Sequence, residues 1–280
     1  MIRQTGLVLL TPAAVSQVRR AVRGALLLEG GASAPLWTWR GQVPEPAFIA
    51  AVERHRVGLL LADHVETLDL PEPVRARLRA QRDAERRAAL DLIRLTSYVD
   101  SLLADVPHLH LKGVALATLS TGDPTARGGG DVDVVVDPGR LDDAAAALVA
   151  DGWKVRPTYT SDQEAWAWRY QRWGAHEMAF DRAGLTVDLH WRLDPTYDGL
   201  PRFADLWTRR QQVKVGPVEV ETLDTADAFA HSLRHAAKDG WESLRSLVDV
   251  HRLAREPAAH EVALGRLDHA TLSAVDATVG

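Results

Sequence analysis

HLHLKGVALATLSTGDPTARGGGDVDVVVD, residues 108–137, decides how the whole chain is read. An apolar run, Leu109 to Leu111, stops at Lys112-Gly113 and gives way to a helix-compatible stretch, Val114 to Leu119. A glycine-rich turn, Gly128 to Gly130, then delivers Asp131 and Asp133 at the head of a β-branched run, Val132 to Val136. Residues two apart on a strand point to one face. Asp131 and Asp133 therefore project together, while Val132, Val134 and Val136 turn toward a core. Two carboxylates held side by side repel, and burial raises their pKa values further. A divalent cation removes both penalties, so the spacing predicts a hard-oxygen metal site of the type that suits Mg²⁺. Taken alone, an acidic pair at a strand head is more often solvated turn chemistry. Lys112-Gly113 at a strand-to-helix junction adds a second feature, because exposed N–H groups at a helix start bind phosphate. Together the two features describe a place for a cation-bridged nucleoside triphosphate.

Downstream, the sequence supplies a third carboxylate. His176–Asp181 and Leu185–Trp191 read as a hairpin joined at Arg182-Ala183-Gly184. Asp188 stands between Val187 and Leu189, where a charge is costly unless paired, and a third ligand for the cation at Asp131 and Asp133 is the economical explanation. His190 shares the Asp188 face and is placed to touch metal-bound water, phosphate or substrate. Whether His176 joins them depends on a two- or three-residue turn, between which the sequence does not choose. In Thr225–Lys238, a helix capped by Asp224, His231 and His235 share one face. No third nitrogen or sulfur ligand accompanies them, so packing under the site is the expectation.

The remaining segments carry less chemistry. Helical spacing runs from Ala13 to Leu28 behind Thr11-Pro12, from Pro46 to Val65, and from Val74 to Ala104, whose first half is charge-rich and predicts a solvated face. A helix over Leu141–Ala150 and a strand over Trp153–Arg156 complete a β-α-β unit begun at 106. Ser161–Trp173 holds Trp166, Trp168, Tyr170 and Trp173, for which packing is favoured over a substrate platform. Val213–Glu221 predicts a strand with Gly216-Pro217 as a turn or bulge. A further helix spans Glu242–Arg255, and 258–280 is alanine-rich and helix-compatible. The division that follows is a helical region over 1–105, a core over 106–222 and a second helical region over 223–280.

Composition bounds the partners. The 280 residues are 46% hydrophobic and 25% charged, enough for a sizeable core in a soluble globular chain. A formal charge of −5 argues against generic nucleic-acid binding. The lack of cysteine excludes disulfides, zinc-thiolate sites and cysteine nucleophiles. No apolar run approaches a membrane span, and Met1–Leu10 does not have the pattern of a signal peptide, so a cytoplasmic protein with no membrane partner is expected.

Lys112-Gly113, Arg127, Asp131-Val132-Asp133 and Asp188-Leu189-His190, in that order, resemble the DNA polymerase β-type nucleotidyltransferase superfamily. The similarity is to a bacterial branch of it in which the turn reads Lys-Gly and the third acid lies in an Asp/Glu-x-His segment. His231, His235 and Trp241 fit the same branch, and the likeness covers roughly 45–255. No serine follows Lys112, and no aromatic stands between Leu119 and Asp123; both depart from the pattern. The resemblance implies an α+β fold, a mixed β-sheet with flanking helices. It implies two Mg²⁺ ions, with Mn²⁺ as the alternative, and ATP or another NTP as substrate. Asp131 and Asp133 would serve both cations and Asp188 the catalytic one. Lys112, Gly113 and Arg127 would meet phosphates, Arg127 through its bidentate fork.

The expected function is transfer of a nucleoside monophosphate from an NTP to an acceptor hydroxyl or phosphate, a reaction of the EC 2.7.7 type, with pyrophosphate leaving. A small molecule or a peptide or protein is favoured as acceptor over long nucleic acid. The competing classes are a catalytically idle NTP-sensing module and a metal-dependent phosphohydrolase. Retention of three acids and two phosphate-side cations favours the transferase.

Overall fold

The computed structural model describes residues 10–32, 37–39, 41, 43–195 and 200–256. The opening residues 1–9 and the alanine-rich 258–280 lie outside them. The chain forms two compact units, 1–87 with 239–248, and 88–238 with 249–280.

The first unit is helical. α1 (Pro12–Glu29) starts where the Thr11 hydroxyl accepts the Ala14 N–H at 3.2 Å, with Pro12 in the first turn, where no donor is missed. The single helix predicted over 46–65 is instead two, α2 (Glu45–His55) and α3 (Gly58–Asp63). Between them Arg56 adopts φ 53° and ψ 42°, and its N–H closes α2 on Glu53 O, a left-handed stop that no glycine announces. Phe48, Val52, Leu61 and Leu68 meet Val18 and Ala21 of α1 in one apolar cluster. Trp37 and Trp39 pack on Phe48, with centroid distances of 6.4 and 5.1 Å. α4 (Glu72–Leu102) is one long helix, and the division between units falls inside it, after Arg87. Its charged first half carries exposed ion pairs, Arg77 with Glu53 and Arg79 with Glu66 and Glu72.

The second unit is a mixed α+β structure, as expected. Its strands are β1 (His108–His110), β2 (Asp131–Val136), β3 (Lys154–Val155), β4 (Glu177–Arg182), β5 (Leu185–His190), β6 (Gln211–Val215) and β7 (Val218–Thr222). They form one seven-stranded sheet in the order β3-β4-β5-β2-β1-β7-β6. The accompanying helices are α5 (Gly113–Thr121), α6 (Leu141–Ala150), α7 (Trp166–Gly174), α8 (Phe203–Arg209) and α9 (Thr225–Lys238), together with the end of α10 (Leu244–Leu253), which the division between units crosses after Val248. β2 runs antiparallel to β1 and parallel to β5. The Gly216 turn of the predicted 213–221 strand makes β6 and β7 a hairpin.

Alternation along β2 sorts the sheet into two faces. Val132, Val134 and Val136 join Leu92, Ile93 and Val99 of α4 and Leu141, Ala145 and Leu148 of α6 in the apolar core. Asp131 and Asp133 point the other way. Burying this many large aliphatic side chains, at roughly 1.5–3 kcal/mol each, anchors the strand so that its two carboxylates cannot turn inward.

Candidate active site

The turn after β1 places the first site residue. Leu111 donates its N–H to Asp133 O at 3.0 Å, which ties the start of the Lys-Gly turn to β2. Lys112 is then the extended residue before α5, and Gly113 opens the helix at φ +59°, a conformation that L side chains rarely adopt. Gly129 answers a different need. A Cβ there would lie 2.9 Å from Leu92 Cδ2, so a side chain at this turn would require the end of Leu92 to shift.

Register supplies the second pair. β2 and β5 are aligned with Asp131 opposite Thr186, Asp133 opposite Asp188 and Val135 opposite His190. Partners in register share a face, so Asp131, Asp133, Asp188 and His190 all project from the side away from the core. The β4–β5 hairpin closes through a two-residue turn, Ala183 at φ 50° and Gly184 at φ 83°, a right-handed-twist type I′ geometry. That choice of turn, left open by the sequence, sets Glu177 opposite His190.

The electrostatics are unequal. Asp133 is buried, and Lys112 Nζ lies 3.1 Å from its Oδ1. His190 Nε2 is 3.4 Å from the same oxygen, within ion-pair range but without hydrogen-bond geometry. Burial opposes ionisation of Asp133, yet Lys112 and His190 hold its carboxyl far below the usual carboxylate range. Asp188 is pushed up to about 6 by burial, with the charge of Asp133 next and a smaller opposing pull from His190. Asp131, at the strand start, is exposed.

Behind His190 stands a line of groups in which Glu177 is the one that the sequence did not reveal. His190 Nδ1 is 3.3 Å from Glu177 Oε2, and His176 Nε2 is 3.5 Å from the same oxygen. These three donors lie within 4.8 Å of one another. Burial lowers the His176 pKa, against the opposing pull of Glu177. His231 of α9 is buried and held well below its ordinary pKa by burial and then by Lys112, His235 and His190. The charges acting on it place His231 in the same electrostatic neighbourhood as Lys112, Asp133 and His190.

Arg127 pairs with a residue of α10. Its Nε lies 3.0 Å from each Asp249 carboxylate oxygen, and both side chains are buried. The two residues are far apart in sequence, and nothing local to Arg127 signals the pairing. The aromatic segment also differs from the packing expected of it. Trp168 is buried, whereas Trp166, Tyr170 and Trp173 of α7 are 74%, 62% and 75% exposed. On the aspartate face beyond Asp133, a cavity of about 370 Å³ is lined by Val135, Arg192, Asp194, Arg202 and Phe203.

Three carboxylates share one face, the donor type that suits a hard divalent cation, although the close donor clusters among the described residues are Asp100–His108–His110 and His176–Glu177–His190, so the three aspartates do not converge on one point without a cation. The Asp188 side chain has no hydrogen bond or ion pair among the described residues. Its proton affinity is raised in the way expected of an anionic site whose charge is incompletely balanced.

Residues 42–269 match the profile of a family described as uncharacterised nucleotidyltransferase, and the chain belongs to that family. Among solved structures it is similar to the antibiotic-resistance factor ANT(2'')-Ia in its solution structure. The identity is 13%, with 68% of this chain and 96% of that chain covered at a TM-score of 0.44. No curated protein sequence matches the chain. No helix among the described residues is long and apolar enough to cross a membrane.

Proposed function

We propose that the strand-head carboxylates form the catalytic site of an NTP-dependent nucleotidyltransferase that carries a nucleoside monophosphate to a small acceptor and releases pyrophosphate. The observation that carries this reading is the register pairing of Asp133 with Asp188 beside Lys112. Asp131, Asp133 and Asp188 would hold Mg²⁺, or Mn²⁺ in its place, which when bound neutralises phosphate charge and eases ionisation of the acceptor hydroxyl.

The chain's own residues account for the rest. Lys112 now neutralises Asp133. At the start of α5 its ammonium would stand beside a phosphate oxygen, where the N–H groups after Gly113 add their dipole. Arg127 commits only Nε to Asp249, so its terminal guanidinium nitrogens are the ones to meet phosphate. Glu177 lies within ion-pair range of His190 Nδ1 and of His176, on the side of the ring away from Asp133, which Nε2 faces. The acceptor oxygen attacks the α-phosphorus, its bond forms as the bond to the pyrophosphate oxygen breaks, and alignment supplies most of the rate. The cavity beyond Val135, of ligand-pocket size and lined by Arg192, Arg202 and Asp194, suits a small polar acceptor.

Incubating the chain with cell extract, Mg²⁺ and an NTP labelled at the α-phosphorus tests this. Label appearing on an acceptor supports transfer. Label released as free monophosphate identifies a phosphohydrolase, and label retained as bound NTP identifies a sensor.

A further inference from the structure

On the core face of the sheet, opposite the aspartates, β1 presents two histidines to α4. His108 is in register with Val136 and His110 with Val134, so both rings turn to the α4 side. Asp100 of α4 reaches down to them. Its Oδ1 is 3.1 Å from His108 Nε2 and 3.3 Å from His110 Nε2. Both imidazoles are buried, His110 to 1% exposure, while Asp100 is half-buried.

The hydrogen-bond roles conflict if nothing lies between these atoms. His108 Nδ1 is 2.8 Å from the Val106 carbonyl, which can only accept, so Nδ1 carries the proton. A neutral His108 then directs a bare Nε2 lone pair at a carboxylate oxygen, acceptor against acceptor. Either an added proton makes His108 a charged imidazolium in the core, or a metal ion takes the lone pairs of both rings together with Oδ1. Two features favour the metal. Bonds of roughly 2.0–2.1 Å arranged tetrahedrally set neighbouring ligand atoms about 3.3 Å apart, and Oδ1 stands 3.1 and 3.3 Å from the two Nε2 atoms, all three within 4.8 Å of one another. An Nδ1–H held by a backbone carbonyl is the outer arrangement that orients metal-binding histidines.

The geometry points to a transition-metal site, Zn²⁺ foremost, formed by His108 Nε2, His110 Nε2 and Asp100 Oδ1. Two imidazoles and one carboxylate differ in kind from the all-carboxylate set on the other face, and the site stands whether or not that set performs transfer. Bound metal would fasten α4 to β1 directly behind the strand that leads into Lys112.

Metal-free full-length chain, saturated with Mg²⁺ to occupy the carboxylates, is titrated with Co²⁺. One Co²⁺ per chain is expected, with the intense visible absorption of a tetrahedral site, displaced by Zn²⁺. The signal disappears in His110→Gln and Asp100→Asn and persists in His176→Ala, which removes the other close donor cluster. Because the core variants could fail to fold, imidazole ¹⁵N spectra of the wild-type chain provide a second reading. Zn²⁺ should shift Nε2 of His108 and His110 to metal-bound positions while His108 Nδ1 stays protonated. The proposal is overturned if both Nε2 atoms remain protonated at saturating Zn²⁺, or if the Co²⁺ signal survives in both variants and is lost in His176→Ala.

Discussion

Asp133 and Asp188 face each other in register across β2 and β5, yet only Asp133 has ion-pair partners, Lys112 at 3.1 Å and His190 at 3.4 Å. One carboxylate is therefore held firmly ionised and its neighbour retains a proton up to about pH 6. This asymmetry underlies the behaviour expected of the site.

The first consequence is a pH-dependent stability in metal-free protein. The Asp188 carboxyl rises from an ordinary 3.8 to about 6 on folding, so the folded chain binds that proton more tightly than the unfolded one. Its stabilising contribution is complete below about pH 4 and is lost as pH rises through about 6. Asp188→Asn lacks this titration. In EDTA, the Tm of the wild type should fall relative to the variant between pH 4 and 6, and Mg²⁺ at pH 7 should raise the wild type more than the variant, which keeps Asp131 and Asp133. Parallel Tm curves for the two proteins across that range would exclude this account.

Lys112→Ala leaves Asp133 without its ammonium and removes the proposed charge-assisted contact to phosphate. Such a contact is worth roughly 1.5–3 kcal/mol, so affinity for a non-hydrolysable NTP should fall about 10- to 100-fold. Isothermal titration at saturating Mg²⁺ measures it, and unchanged affinity removes Lys112 from the phosphate site.

Arg127 and Asp249 are both buried, and removing one leaves the other uncompensated. Arg127→Ala and Asp249→Ala should each lower unfolding free energy by about 3–5 kcal/mol, with the Arg127→Met/Asp249→Leu double variant recovering much of the loss. Denaturant unfolding provides the check. Losses below 1 kcal/mol would show that the pair does not hold the loop before β2.

Ala183 adopts φ 50° in the two-residue turn that sets Glu177 opposite His190. A side chain other than Asn, Asp or Gly pays roughly 1–2 kcal/mol in that region, and Asn followed by Gly suits the turn type. Ala183→Asn should raise stability by about 1 kcal/mol without altering turnover. A destabilised variant would argue for a different register.

The parts legible in the sequence were those written in short periodicity. Alternation along 131–136 announced both faces of β2, and Asp188 within an apolar run announced the third acid. Glu177 was not legible because its place opposite His190 depends on a turn one residue shorter or longer. The break at Arg56 and the partner of Arg127 had no local signal: a left-handed arginine looks like any other, and Asp249 is brought near only by tertiary folding. Trp166, Tyr170 and Trp173 misled in the other direction, since aromatic spacing that suits a core also suits an exposed helix face.

The most direct test separates binding from chemistry at Asp188. Mg²⁺–NTP affinity and transfer of the labelled nucleotide should be measured side by side for wild type and Asp188→Asn, in protein shown to melt normally. The account predicts affinity within a few-fold of wild type and turnover reduced by about 100-fold or more, the scale on which loss of a transition-state stabiliser is felt. Turnover near wild type in a folded Asp188→Asn chain would contradict it.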